Sequence, residues 1–158
     1  MKKTEFLKIA HQLYDRFHFV PLLYGSLGLE QWLQMDLNAE DIDILIPEAV
    51  LREKWNDLVS IMKDNGYLLY DLHEHEFRKA ELHVAFASIE DLTPFAGIDL
   101  TEIPLVEEEG VCYYLLDLQA YLKVYSASSK DGYRKNTKNK NDSYKIELIK
   151  QALDKKGL

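Results

Sequence analysis

The chain has 158 residues, a net charge of −8, 47% hydrophobic and 29% charged residues. That is enough apolar material for one packed domain and excludes a disordered polyelectrolyte. The acidic balance argues against a wholesale nucleic-acid binder, which needs surplus Lys and Arg. No apolar run reaches membrane-spanning length, and Met1-Lys2-Lys3 is not followed by an apolar leader core. The single cysteine, Cys112, cannot form an internal disulfide, so a cytoplasmic chain is expected.

Phe6, Leu7, Ala10, Leu13, Tyr14 and Phe17 recur at helical spacing, so residues 4–17 read as a helix with Thr4 as N-cap. Phe19–Tyr24 reads as a strand, and Pro21 within it marks an edge or a strand start. Gly25 supplies a tight exit into a short helix that begins at Ser26 or Leu27 and runs to about Met35, with Leu29, Trp32 and Leu33 on its apolar face. Trp32 fits the core better than a base-stacking platform. A polar loop leads to the strand Asp41–Ile46, which Pro47 ends.

This pair of strands carries the chemistry. Side chains alternate faces along a strand, so Asp41 and Asp43 point one way while Ile42 and Ile44 point into the core. Two neighbouring carboxylates repel each other unless a cation lies between them, the arrangement a hard ion such as Mg²⁺ needs. Gly25-Ser26 at a helix start offers backbone N–H groups, a hydroxyl and the positive end of the helix dipole, which suits a phosphate. Metal beside phosphate points to phosphoryl or nucleotidyl transfer.

Glu48–Asn65 reads as one amphipathic helix with Leu51, Trp55, Leu58, Val59 and Met62 inward, stopped by Asn65-Gly66. Tyr67–Leu72 is the third strand. His73-Glu74-His75-Glu76 reads as the polar face of a strand entering a hairpin rather than as a metal site. Lys79–Ala87 is the fourth strand, with Leu82, Val84 and Phe86 on one side and Glu81, His83 and Ala85 on the other. Ile89–Pro94 is a short helical turn. Leu100–Tyr114 is a hairpin turning at Glu107-Glu108-Glu109-Gly110, with Cys112 as a buried thiol. Leu118–Ala127 is a helix with Asp117 as N-cap and with Lys123 off its apolar stripe. Ser126–Asn141 is a loop carrying Lys130, Arg134, Lys135, Lys138 and Lys140, and Asp142–Lys155 is the last helix, capped by Asp142. An acidic chain with one basic segment suits a small polyanion such as a nucleoside triphosphate better than a long duplex.

Gly25-Ser26, a helical spacer and Asp41-Ile42-Asp43 on a strand resemble the motif of the polymerase-beta-type nucleotidyltransferase superfamily. Glu40-Asp41-Ile42-Asp43-Ile44 is most similar to the small lincosamide and aminoglycoside nucleotidyltransferases and to the nucleotidyltransferase-like toxins of abortive-infection systems. The resemblance implies an α/β (α+β) fold: a mixed twisted sheet with flanking helices, residues 1–116 forming the core and residues 117–158 forming carboxy-terminal helices packed on it. It implies Mg²⁺ (or Mn²⁺) held by Asp41, Asp43 and a third carboxylate, for which Glu81 is the candidate. Glu81, or His83 in its place, would take the acceptor's proton. Gly25 and Ser26 would bind the triphosphate, and Lys123 with Lys130, Arg134 or Lys140 would neutralise the departing pyrophosphate. The expected reaction moves a nucleoside monophosphate from a nucleoside triphosphate to an acceptor hydroxyl on a small molecule, an RNA or a protein. The alternatives are a toxin paired with an antitoxin, or an inactive relative that binds nucleotide or a partner. The candidate protein partners are an antitoxin or, in a homodimer, a second copy of the chain; neither a membrane nor duplex nucleic acid is expected as a partner.

Overall fold

Residues 1–130 and 139–156 are described by the computed structural model, and they form seven α-helices and a seven-stranded mixed sheet. Inside the sheet, next to the central strand β2 (Asp41–Ile46), lies β1 (Leu22–Tyr24), antiparallel to β2 on one side and parallel to β7 (Val111–Leu115) on the other. β5 (Leu82–Ser88) pairs in parallel with β2. β4 (Glu76–Lys79) and β3 (Leu68–Asp71) extend the sheet antiparallel to one edge, and β6 (Leu105–Glu108) forms the other. The order is β3-β4-β5-β2-β1-β7-β6, the mixed α/β architecture expected from the sequence.

The interior strand β1 is only three residues long, and Leu22 and Leu23 are wholly buried. Pro21 is not at an edge. It lies just before β1, where no ladder N–H is required of it, and its carbonyl accepts from the Tyr114 N–H at 2.9 Å. In β2 the alternation is sharp at its start: Ile42 and Ile44 are fully buried, whereas Asp41 and Asp43 are not.

α1 (Lys2–Phe17) buries Phe6, Ile9, Ala10 and Leu13, and the Phe6 ring meets Tyr113 of β7 edge-on at 5.1 Å. α2 (Gly25–Leu33) follows β1 directly, and its Trp32 indole donates to the Leu116 carbonyl at 2.7 Å. The long helix expected over residues 48–65 is two, α3 (Glu48–Glu53) and α4 (Trp55–Asp64), broken at Lys54, whose φ of −122° lies outside the helical range. Trp55 then opens the second helix and reaches the rings of His75 and Phe77.

The strands after α4 correct the sequence reading. β3 and β4 form the expected hairpin, but β4 and β5 form a second one, joined by the two residues Ala80 and Glu81, with Lys79 paired to Leu82 and Ala80 at φ 51°. β6 and β7 turn at Glu109-Gly110, both at positive φ. Cys112 is exposed, not buried: it pairs with Glu107 on the solvent side, while Tyr113 beside it fills the core.

After a short α5 (Leu92–Ala96) the chain enters α6 (Leu118–Lys130), capped as expected by Asp117, which accepts from the Ala120 N–H at 2.8 Å. α6 runs past Ala127, and α7 (Asn139–Lys156) starts before Asp142, so the basic loop expected over 126–141 is helical at both ends. Asp142 is fully buried and accepts from the Ser128 hydroxyl at 3.0 Å, pinning α7 to α6 rather than capping it.

One polar link ties α1 to the far half of the sheet. The buried Tyr67 hydroxyl donates to Glu5 at 2.8 Å, and Lys79 of β4 reaches the same oxygen at 3.1 Å. Burial works to raise the Glu5 pKa, but the bonds from Tyr67 and Lys79 outweigh it, and the carboxyl titrates below its ordinary 4.5. Burial first, and Glu5 second, hold the Tyr67 hydroxyl above its usual range. The contribution of Glu5 is therefore full above 4.5 and is lost as pH falls through the lowered folded-state value. Glu5→Gln is expected to cost about 1–3 kcal/mol at neutral pH. In urea unfolding that difference from the parent shrinks when the pH is lowered to about 3.5.

Candidate active site

The site begins with a close approach of two backbones. Tyr24, the last residue of β1, is the register partner of Asp43 in β2. The next residue, Gly25, has φ 66° and opens α2. The backbone angle favours glycine, and a Cβ at Gly25 would push the Asp43 carboxylate from its place. The first residues of α2, Gly25 and Ser26, are thereby held against the Asp41/Asp43 face of β2, and all four line one cleft of about 490 Å³.

The opposite wall comes from the carboxy-terminal helices. Tyr121, Val124, Tyr125 and Ser128 line the cleft from one face of α6, at i, i+3, i+4 and i+7. Tyr144 and Lys145 line it from α7, Phe95 from α5, and Leu37, Asn38 and Glu40 from the loop before β2. Tyr121 is wholly buried and donates to the Gly25 carbonyl at 3.0 Å. Burial above all keeps its hydroxyl protonated far above the usual range, with Tyr125, Tyr24 and Asp43 acting in the same sense. Gly28 makes room for that hydroxyl: a Cβ there would strike it and would lie 2.8 Å from the Leu23 carbonyl. Tyr125 stacks on Tyr121 at 6.0 Å, and the Lys145 ammonium lies over the Tyr125 ring at 5.3 Å. A chain of contacts thus runs from the Gly25 turn through two tyrosines to Lys145.

On its other side the aspartate pair meets β5. Asp41 is in register with His83, and Asp43 with Ala85; one strand further, Arg78 faces His83 and Glu76 faces Ala85. His83 Nδ1 lies 3.3 Å from Asp41 Oδ1 and 3.8 Å from Glu76 Oε2, and Glu76 binds Arg78 at 2.8 Å.

Of the residues singled out in the sequence, the structure brings Gly25, Ser26, Asp41 and Asp43 together and sets His83 against Asp41. Glu81 is not with them. It lies in the exposed two-residue turn between β4 and β5, because the strand starts only at Leu82. Lys123 is also elsewhere: it is exposed and borders a separate hollow with Asp99 and Glu102, since a residue two places after Tyr121 points away from the cleft face of α6. Lys130 is exposed at the end of α6, outside the cleft lining. Arg134 lies outside the described residues; Lys140 falls within α7, but its side chain is outside what is described. Among the described residues the cationic side chain in the cleft wall is Lys145, which the sequence reading missed. Its signal was its place three residues after the one acid in the first turn of the last helix, on the face that Asp142 turns toward α6.

Among the described residues no three His, Cys, Asp or Glu side chains are grouped to hold a metal ion. Asp41 and Asp43 alone are a partial donor set. Mg²⁺ commonly takes one or two protein carboxylates and completes its shell with substrate phosphates and water, so the pair fits such an ion together with a bound polyphosphate. Among the described residues no helix is long and apolar enough to cross a membrane.

No protein-family model matches the chain. The uncharacterized protein YnaI of Bacillus subtilis (strain 168) is 44% identical over 150 residues, covering 95% of this chain and 96% of that protein. The solution structure of the antibiotic-resistance factor ANT(2'')-Ia, which reveals substrate-regulated conformation dynamics, superposes with a TM-score of 0.50 over 99% of this chain and 94% of that one, at 15% identity. At that identity the likeness is one of fold, and it bears out the nucleotidyltransferase-like α/β fold expected from the sequence.

Gly25→Ala is expected to destabilise the protein by about 1–2 kcal/mol from the backbone angle, while the clash displaces the Asp43 carboxylate. Gly97, also at positive φ but with nothing within 4 Å of a Cβ, supplies the control in chemical unfolding: Gly97→Ala shows the backbone cost without the clash.

Proposed function

We propose that this chain, which belongs to one family with YnaI of Bacillus subtilis, is a nucleotidyltransferase that moves a nucleoside monophosphate from a nucleoside triphosphate to an acceptor hydroxyl. The observation that carries the reading is the convergence, in one cleft, of the Gly25-Ser26 helix start and the Asp41/Asp43 pair. The fold shared with the antibiotic-resistance factor supports it.

In this reading the outer phosphates lie on the N–H groups of the Gly25 turn and on the Ser26 hydroxyl, where the α2 dipole favours negative charge. Lys145 faces them from the other wall. Mg²⁺ or Mn²⁺, held by Asp41 and Asp43, supplies charge neutralisation of the triphosphate when bound. The acceptor oxygen bonds to the α-phosphorus, the bond from that phosphorus to the β-phosphate oxygen breaks, and pyrophosphate leaves with the electron pair. An in-line displacement with the leaving group on the Gly25 side brings the acceptor over β5. There His83 is the nearest group to receive the acceptor's proton, directly or through water, and it also orients Asp41. Positioning and charge stabilisation carry the rate.

A second reading has one observation in its favour. Ala85 stands in register with Asp43, and among the described residues no third carboxylate is grouped with the pair to hold a metal ion, which suits a protein that binds nucleotide without turning it over. Pyrophosphate release separates the two readings.

Calorimetric titration with non-hydrolysable ATP and GTP analogues tests the site. Wild type is expected to bind in the presence of Mg²⁺. Asp41→Asn and Asp43→Asn are expected to lose the Mg²⁺-dependent part while unfolding within a few degrees of wild type. Lys145→Ala is expected to weaken binding roughly tenfold or more, the worth of one charge-assisted hydrogen bond, and Lys123→Ala to leave it unchanged. Equal binding by wild type and both aspartate variants would sink the assignment.

A further inference from the structure

Two rings in the cleft wall are not used by that mechanism. Phe95, near the end of α5, is 42% exposed, and Tyr144, in the second turn of α7, is 56% exposed. The other aromatic residues of the wall are tied into the protein: Tyr24 ends β1 in register with Asp43, Tyr121 stacks on Tyr125, and Tyr125 carries Lys145. Among the described residues neither Phe95 nor Tyr144 stacks on another ring, and the Tyr144 hydroxyl makes no hydrogen bond. A single exposed aromatic is ordinary. Two of them, brought from distant parts of the chain into one concave site that is polar at its other end, make the pattern of a binding site: an apolar wall with a few converging polar groups.

We infer that Phe95 and Tyr144 bind the nucleobase of the nucleoside triphosphate, an inference that rests on the nucleotidyl-transfer reading. The wall that carries Tyr144 is tied to the phosphate end of the same cleft. Lys145, the next residue, sits over Tyr125; Tyr125 stacks on Tyr121; and Tyr121 holds the Gly25 carbonyl. One molecule with a polyanionic end on Gly25-Ser26 and a flat, apolar end against Phe95 and Tyr144 satisfies both parts of the cleft, and a nucleotide is such a molecule. The acceptor, approaching over β5 on the His83 side of the pair, does not compete for these rings. Stacking on a ring is indifferent to the edge of the base, because every base presents a π-face, so adenine and guanine are held alike.

The test compares ATP and GTP analogues with inorganic tripolyphosphate, all with Mg²⁺, by calorimetry on the full chain. Wild type is expected to bind the nucleotides more tightly than tripolyphosphate. Phe95→Ala and Tyr144→Ala are each expected to weaken both nucleotides roughly tenfold. The double variant should approach the affinity for tripolyphosphate, and tripolyphosphate binding should stay unchanged throughout. Tyr144→Phe should keep nucleotide affinity, since the face of the ring and not its hydroxyl makes the contact. Both rings are exposed, so melting temperatures close to wild type are expected. Nucleotide affinity unchanged in the double variant overturns the assignment, as does an equal loss for tripolyphosphate. A wild type that binds tripolyphosphate as tightly as ATP overturns it too. Wild type that binds neither ligand instead overturns the nucleotidyl-transfer reading beneath it.

Discussion

The approach of Gly25 to Asp43 is the constraint on which the rest of the site depends. β1 is three residues long and sits between an antiparallel and a parallel neighbour, so its register fixes where the chain leaves the sheet. Because Tyr24 pairs with Asp43 and the space beside the Gly25 Cα is filled by the Asp43 carboxylate, the start of α2 is held beside the carboxylates. The buried Tyr121 hydroxyl then grips the Gly25 carbonyl from the other wall, which carries the geometry of the turn to α6 and, through Ser128 and Asp142, to α7. Each link is a contact that a larger or apolar residue would break.

Electrostatics follow the same layout. The chain is acidic overall, and two adjacent carboxylates in a cleft with Glu40 add local negative potential. A bare polyanion would be repelled from such a place; one that arrives with a divalent cation would not. On the β5 side, His83 lies between Asp41 and Glu76, and Glu76 is paired with Arg78, which positions the Asp41 side chain with little added net charge there.

The parts of this fold that were legible in the sequence are those set by local pattern. Alternation placed Asp41 and Asp43 on one face, glycine chemistry placed the turn at Gly25, and the Asp117 cap placed α6. What escaped is set by pairing between strands and helices. A two-residue hairpin at Ala80-Glu81 is hidden where the flanking residues are apolar and polar in equal measure, and it moved Glu81 off the strand. The helical period of α6 already separated Lys123 from the apolar stripe that includes Tyr121 and Tyr125, yet which side of that helix faces the aspartates is a tertiary fact. Cys112 misled for a related reason. In an unbroken apolar run, alternation does not say which residues face inward; the register with Glu107 does.

The cleft is unequal in how much change it tolerates. On one side stand Gly25 and Gly28, where any added carbon strikes an oxygen; on the other stand Phe95 and Tyr144, exposed and bonded to little. Substitutions of the second kind usually shift stability by no more than about half a kcal/mol, whereas those of the first kind distort the backbone. The turn from Gly25 to Gly28 is therefore under a steric lock that folding itself enforces. Stability asks little of the α5 and α7 rim, so what holds Phe95 and Tyr144 in place as residues is what they bind.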